Sequence, residues 1–156
     1  MTIAHSSLTD PELHEPKGIA AAAANKVYVS DGAGSGDWTE FSAVTDALCL
    51  DIADGSADTS YYVVTPYAGT ITKLYTVIDG AVSTADITVQ AKIGGTNVTN
   101  GLITIATAAS AAGDVDSATP TAANTVTEGG KVEFAVAGGG SGGSPRIHLI
   151  MLVERT

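Results

Sequence analysis

The sequence predicts an all-β protein: a jelly-roll-like antiparallel β-sandwich preceded by an extended N-terminal arm. Three observations lead there. Short apolar runs recur between turn residues, and the 18 glycines are spread among them rather than gathered in one linker, which is the pattern of many short strands. One run alternates strictly, with Ile87, Val89, Ala91 and Ile93 separated by Thr88, Gln90 and Lys92. A period of two suits a strand with one buried face. Helix signals are almost absent, because the alanines at 20–24 are too few to hold a helix alone.

Residues 1–41 differ in character from residues 42–156. They hold Pro11, Pro16, the alanine run, the glycine-rich DGAGSGD at 31–37 and the sole tryptophan, Trp38. Periodicity is weak before Val27, so this segment is expected to be an extended arm. Residues 27–29 return through the glycine turn to 38–41 as a small hairpin, with a helical turn over 40–46 as the alternative. Strands are then expected at 48–52, at 61–64 (stopped by Pro66) and at 70–78, where Asp79-Gly80 is a strong turn signal. The alternating run 87–93 turns at Gly94-Gly95 into 96–99, and Asn100-Gly101 turns again into 102–106. Small and polar residues over 108–127 read as a long loop. Strands resume at 132–136 and, after the glycine-rich tip at 138–143, at 146–154. Two packed sheets are the usual solution for such a series. Ile87, Val89, Ile93, Val132, Phe134, Val136, Leu149 and Met151 are the expected core.

Three of these runs, 61–64, 74–78 and 147–153, are apolar on both faces. A strand in a two-layer sandwich should have one wet face. Either a loop or another subunit must cover the second apolar face; the expectation is another subunit, making the protein a homo-oligomer. Tyr62, Val64, Leu74, Ile78, His148, Ile150 and Leu152 are the expected contact residues.

Charge and composition narrow the function classes. The net charge is −10, from 17 acidic and 7 basic residues, a field that repels phosphate and anionic lipid. With no Lys/Arg cluster, nucleic acid is not an expected partner. No apolar stretch approaches the roughly 20 residues of a membrane span, so no membrane is expected either. The start carries no basic-then-apolar signal, which predicts a protein made and used without secretory export. Cys49 is the sole cysteine and lies between Leu48 and Leu50, so it reads as a small core residue.

The expectation for chemistry is a protein that is not an enzyme and holds no cofactor. His5, His14 and His148 are scattered, no nucleophile elbow or triad pattern occurs, and no paired catalytic carboxylates stand out. The glycines at 32–36 are followed by Asp37-Trp38, where a phosphate cradle needs Gly-Lys-Ser/Thr opening a helix. Asp31 and Asp37, and later Asp51, Asp54 and Asp58, raise calcium as a question. The spacing of a calcium loop is absent, however, and Asp favours turns for its own reasons, so no metal is expected. The five tyrosines are read as core or interface residues rather than as a sugar platform.

The N-terminal segment carries a specific resemblance. LTDPELHEPKG at 8–18, the alanines at 20–24 and VYVSDGAGSGDW at 27–38 resemble a segment near the N-terminus of tailed-bacteriophage head-fibre and capsid decoration (cement) proteins. Asn25-Lys26 before Val27, and Ser30 where that segment commonly has Ala, are mild departures. More loosely, 66–75, 78–80, 85–89, 92–95 and the glycine-rich turn before the last strand resemble a β domain of phage head- and tail-associated proteins.

The resemblance implies a virion structural protein, assembled in the host cytoplasm and carried on the outer capsid surface. It implies a homotrimeric knob whose arm docks on the major capsid protein at three-fold or quasi-three-fold positions and stabilises the shell. An arm that orders on docking must offset lost entropy with apolar contacts. Leu13, His14, Pro16, Ile19, Val27, Tyr28, Val29, Trp38 and Phe41 are the expected anchors. The alternative is a receptor- or glycan-binding head or tail appendage that meets a host-surface glycan through loops near 54–60 and 138–143.

Overall fold

A computed structural model of the chain describes residues 26–33, 36–40, 44–140 and 145–155. The chain divides into two compact units, Met1–Ser42 and Ala43–Thr156. In the first, β1 (Lys26–Ser30) and β2 (Gly36–Glu40) form an antiparallel hairpin with Tyr28 opposite Trp38. Turn chemistry fixes it. Asp31 Oδ1 accepts the Ala33 N–H at 2.8 Å, and Ser30 Oγ accepts that of Gly32 at 3.1 Å. Gly32 itself sits at φ 75°, where a side chain would be strained.

The second unit is a sandwich of two antiparallel sheets. One sheet has the order β4 (Thr59–Val64), β10 (Lys131–Gly138), β6 (Ile87–Ile93), β7 (Thr96–Ile105). The other runs β3 (Thr45–Ile52), β11 (Ile147–Arg155), β5 (Gly69–Ile78), β8 (Val115–Ala118), with β9 (Thr125–Val126) also on β5. The chain crosses between sheets at most connections, which makes the sandwich jelly-roll-like. No helix occurs among the described residues; of the alternative helix over 40–46, Glu40 ends β2, Thr45 and Asp46 open β3, and 41–43 lie outside the described residues.

All the expected core residues face inward. Seven are buried, Phe134 completely, while Ile93 is partly buried against the rest. A fully buried side chain of this size contributes roughly 1.5–3 kcal/mol.

Four expectations are corrected. Asp79-Gly80 does not close a hairpin, since β5 and β6 lie in different sheets. Asp79 instead ties the crossover to the start of β11: its N–H donates to the Arg146 carbonyl at 3.2 Å and its carboxylate accepts the Arg146 N–H at 2.8 Å. Asn100-Gly101 is not a turn but an irregularity within one continuous strand, β7. The β6–β7 register shifts there, Asn100 adopts φ 56°, and a Cβ on Gly101 would lie 2.8 Å from Val98. The loop 108–127 contains β8 and β9, both too short to show a period. Cys49 is exposed rather than a core residue, because Leu48 and Leu50 take the inward positions of β3.

A second irregularity decides which faces are buried. Leu152 pairs with Lys73, but Val153 pairs with Ile71, so Thr72 is an extra residue on β5. A bulge of this kind switches the parity of a strand. Ile71 and Leu74 consequently both point inward, at 0% exposure.

Candidate functional site

Two outer sheet faces, one loop cluster and the hairpin are the candidate surfaces. On the outer face of the five-stranded sheet, register rows place Asp51, His148, Val77 and Val115 side by side. The next row brings together Cys49, Ile150, Tyr75 and Ser117, and a third Ala47, Leu152 and Lys73. This face is thus apolar through its middle. Its charges are held locally. His148 Nδ1 lies 2.6 Å from Asp51 Oδ1, and Lys73 Nζ donates to Thr119 Oγ1 at 2.8 Å and stands 5.6 Å from the Tyr75 ring. The His148–Asp51 side chains are 48% and 64% exposed, so the pair is screened by solvent and stabilises little.

On the outer face of the four-stranded sheet, Tyr62 and Val64 are exposed. Lys131 Nζ sits 5.1 Å from the Tyr62 ring. Glu133 accepts the Ser60 hydroxyl at 2.7 Å and approaches Lys92 at 4.0 Å.

The seven expected contact residues therefore do not form one surface. His148, Ile150 and Leu152 share the outer face of the five-stranded sheet, and Tyr62 and Val64 lie on that of the other. Leu74 and Ile78 are core residues at 0% and 1% exposure, which corrects their assignment as subunit contacts. Alternation shows that β5 has two apolar faces but not which one meets the opposite sheet. Tyr75 and Val77, missed in the sequence reading, take the outward places.

The two loops read as a recognition site come together. Gly138 N–H donates to Asp58 Oδ1 at 3.0 Å, and a Cβ on Gly139 would meet the Ser56 Cα at 2.9 Å. Residues 141–144 lie outside the described residues. Asp54 accepts from both the backbone and the hydroxyl of Ser56, at 2.9 and 2.7 Å, so Asp54 and Asp58 serve as loop acceptors.

A shallow cleft at one end of the sandwich is lined by Ile78, Ile105, Ser110, Asp114 and Asp116. Burial, and then the neighbouring Asp114 charge, push the Asp116 carboxyl above its ordinary pKa. Asp86 is shifted the other way by the Thr107 N–H that it accepts at 2.7 Å.

Of the expected anchors, Leu13, His14, Pro16, Ile19 and Phe41 lie outside the described residues. The hairpin carries the other four. Tyr28 and Trp38 pack edge to face, centroids 5.4 Å apart at 66°. Val27 and Val29, with the opposite parity, are 38% and 50% exposed.

No protein-family model matches the chain, and no curated protein matches it significantly. Among solved structures, the chain is similar to CsCBM6-3 from Clostridium stercorarium, solved in complex with cellobiose: 14% identity, 86% of this chain, 85% of that one, TM-score 0.43. It is also similar to a protein of Bacillus endospore appendages, described as a novel family of disulfide-linked pili: 16% identity, 86% of this chain, 96% of that one, TM-score 0.41. Likenesses of this size transfer no function.

Proposed function

We propose that the protein is a structural, non-enzymatic virion subunit that decorates the outer surface of a tailed-phage capsid and stabilises the shell. In this reading the N-terminal unit is the anchor, the sandwich is the outward knob, and the major capsid protein is the partner. One observation carries most weight: the segment with the specific resemblance falls in a unit of its own, Met1–Ser42. Within that unit, Val27 and Val29 offer an apolar edge to a partner, stiffened by the Tyr28–Trp38 contact. Several arms on one oligomer would add avidity to a weak single contact. The acidic balance of the chain suits a surface turned away from packaged DNA.

The test is co-sedimentation with expanded capsids of the phage that encodes the protein. The full chain is expected to pellet, while Trp38→Ala and a version lacking 1–41 stay in solution. Equal binding of all three would move the contact to the sandwich, and no binding by the full chain would remove the capsid assignment.

The meeting of loops 54–60 and 138–140 supports a second reading, a glycan-binding appendage. Selective binding to host-surface glycans, abolished by Asp58→Ala, would favour it.

A further inference from the structure

The strand β3 is built like half of an interface. It is eight residues long, and among the described residues β11 is the only strand that pairs with it. Its register with β11 runs unbroken from Thr45 to Ile52. It has no lysine, no proline and no bulge, three of the devices by which edge strands are kept from pairing further, although it carries two aspartates, Asp46 and Asp51. Outward it shows the small side chains of Ala47 and Cys49, both exposed, beside Ile150 and Leu152 of β11. Inward, Leu48 and Leu50 are only partly buried, although each heads into the core. Both carboxylates of the strand have partners on β11: Asp51 has His148 at 2.6 Å, and Asp46 has Arg155 at 2.5 Å.

We propose that β3 pairs antiparallel with β3 of a second copy of this chain, about a two-fold axis at Cys49. The occupant follows from the strand's own sequence. With Cys49 opposite its counterpart, Leu48 of one copy faces Leu50 of the other on the core side. On the outer side Ala47 faces Asp51, and on the core side, further along, Asp46 faces Ile52. Side chains directly opposite across an antiparallel pair are the units of sheet stability, and here Leu48 meets Leu50 on either side of the central Cys49 pair while no carboxylate meets a carboxylate. Charge points the same way. Two chains of net charge −10 repel at a distance, but each carboxylate at this seam already has a partner within its own chain, Asp46 on Arg155 and Asp51 on His148. A basic partner would find no unpaired carboxylate along β3. A two-fold seam is isologous and closes on itself, so it ends at two copies and leaves no open edge at β3. It would join the two β3-containing sheets into one and cover the half-exposed Leu48 and Leu50.

This seam belongs to the sandwich unit and does not depend on capsid binding. The protein supplies its own reporter, because Cys49 is its only cysteine. Antiparallel partners have Cα atoms about 4.5–5.5 Å apart, within disulfide range. Diamide would take two electrons and two protons from the pair of thiols to form the bond.

The experiment is light scattering on the full chain, with and without diamide, beside Cys49→Ser and Cys49→Lys. The wild type is expected to have the mass of a dimer and to convert to a covalent dimer. Cys49→Ser should remain a dimer without the covalent link. Cys49→Lys, at an exposed position, should dissociate at least tenfold more readily with an unchanged circular dichroism spectrum. A monomeric wild type, a dimer that Cys49→Lys leaves intact, or failure to cross-link would overturn the seam. A trimer, the copy number implied by the resemblance, would also overturn it while leaving the decoration reading in place.

Discussion

The two flanks of the sandwich end their sheets in different ways. On one flank, residues 119–124 form a strap between β8 and β9. Lys73 holds Thr119, the Thr99 N–H donates to the Ala122 carbonyl at 2.9 Å, and that of Thr121 donates to the Thr99 carbonyl at 3.0 Å. Asn124 then clamps β5 twice: its carbonyl accepts the Ile71 N–H at 2.9 Å, and its side-chain amide donates to the Ile71 carbonyl at 2.7 Å. The strap thus touches β7 of one sheet and β5 of the other; β8 and β9 beside it are four and two residues long, while β7, the edge of the four-stranded sheet, runs ten. On the other flank, β3 and β4 run eight and six residues with no comparable cover among the described residues. Short edges and covering loops are how folds avoid unwanted pairing. Among the described residues, the strap protects one flank and nothing comparable covers the other.

The contrast can be broken most severely at the clamp. Ile71→Ala removes a fully buried side chain next to the strap and is expected to cost about 2–5 kcal/mol by urea unfolding. Asn124→Ala removes one half of the clamp and leaves the Ile71 carbonyl short of a donor, a loss of about 1 kcal/mol. It should also speed hydrogen exchange at the Ile71 and Thr99 amides, and unchanged exchange there would mean that the strap contributes nothing to closure.

Asp116→Asn tests the acidic end of β8. Because the folded pKa is raised by burial and by Asp114, the stability this group permits is present below its unfolded pKa and is lost as pH rises through the folded one. The variant should therefore melt higher than wild type at neutral pH, and the difference should vanish below pH about 4, where both forms are neutral. For Asp86, held low by the Thr107 N–H, the sign reverses. Its contribution is present above the unfolded pKa and fades as pH falls through the folded one, so Asp86→Asn should melt lower at neutral pH.

The smallest effect is expected on the open flank. Tyr62→Ser and Val64→Thr, at 52% and 63% exposure, should shift stability by no more than about 0.5 kcal/mol. A larger shift would mean that β4 is covered in solution.

Most of the fold is legible in the residues. Strict alternation at 87–93 gives β6 with its stated ends, and Gly94-Gly95, both at positive φ, close the β6–β7 hairpin as a paired-glycine turn should. The misreadings share one cause. Asp79-Gly80 and Asn100-Gly101 both carry a local turn signal, but where the following strand pairs is set by the far side of the molecule: the first dipeptide leads a crossover and the second bends a continuous strand. β8 and β9 are too short for any period, and their partner β5 defines them.

The candidate surfaces show the same division. The sequence by itself determined that β4, β5 and β11 have two apolar faces, that the chain is strongly acidic, and that the N-terminal segment differs from the rest, because composition and alternation are local properties. Which face of each strand became core was decided only by the tertiary structure. Packing against the opposite sheet and the single extra residue Thr72 turned Leu74 and Ile78 inward and left Tyr75 and Val77 outside. The exposure of Cys49 on an open edge was decided in the same way, since burial depends on neighbours that lie far away in the chain.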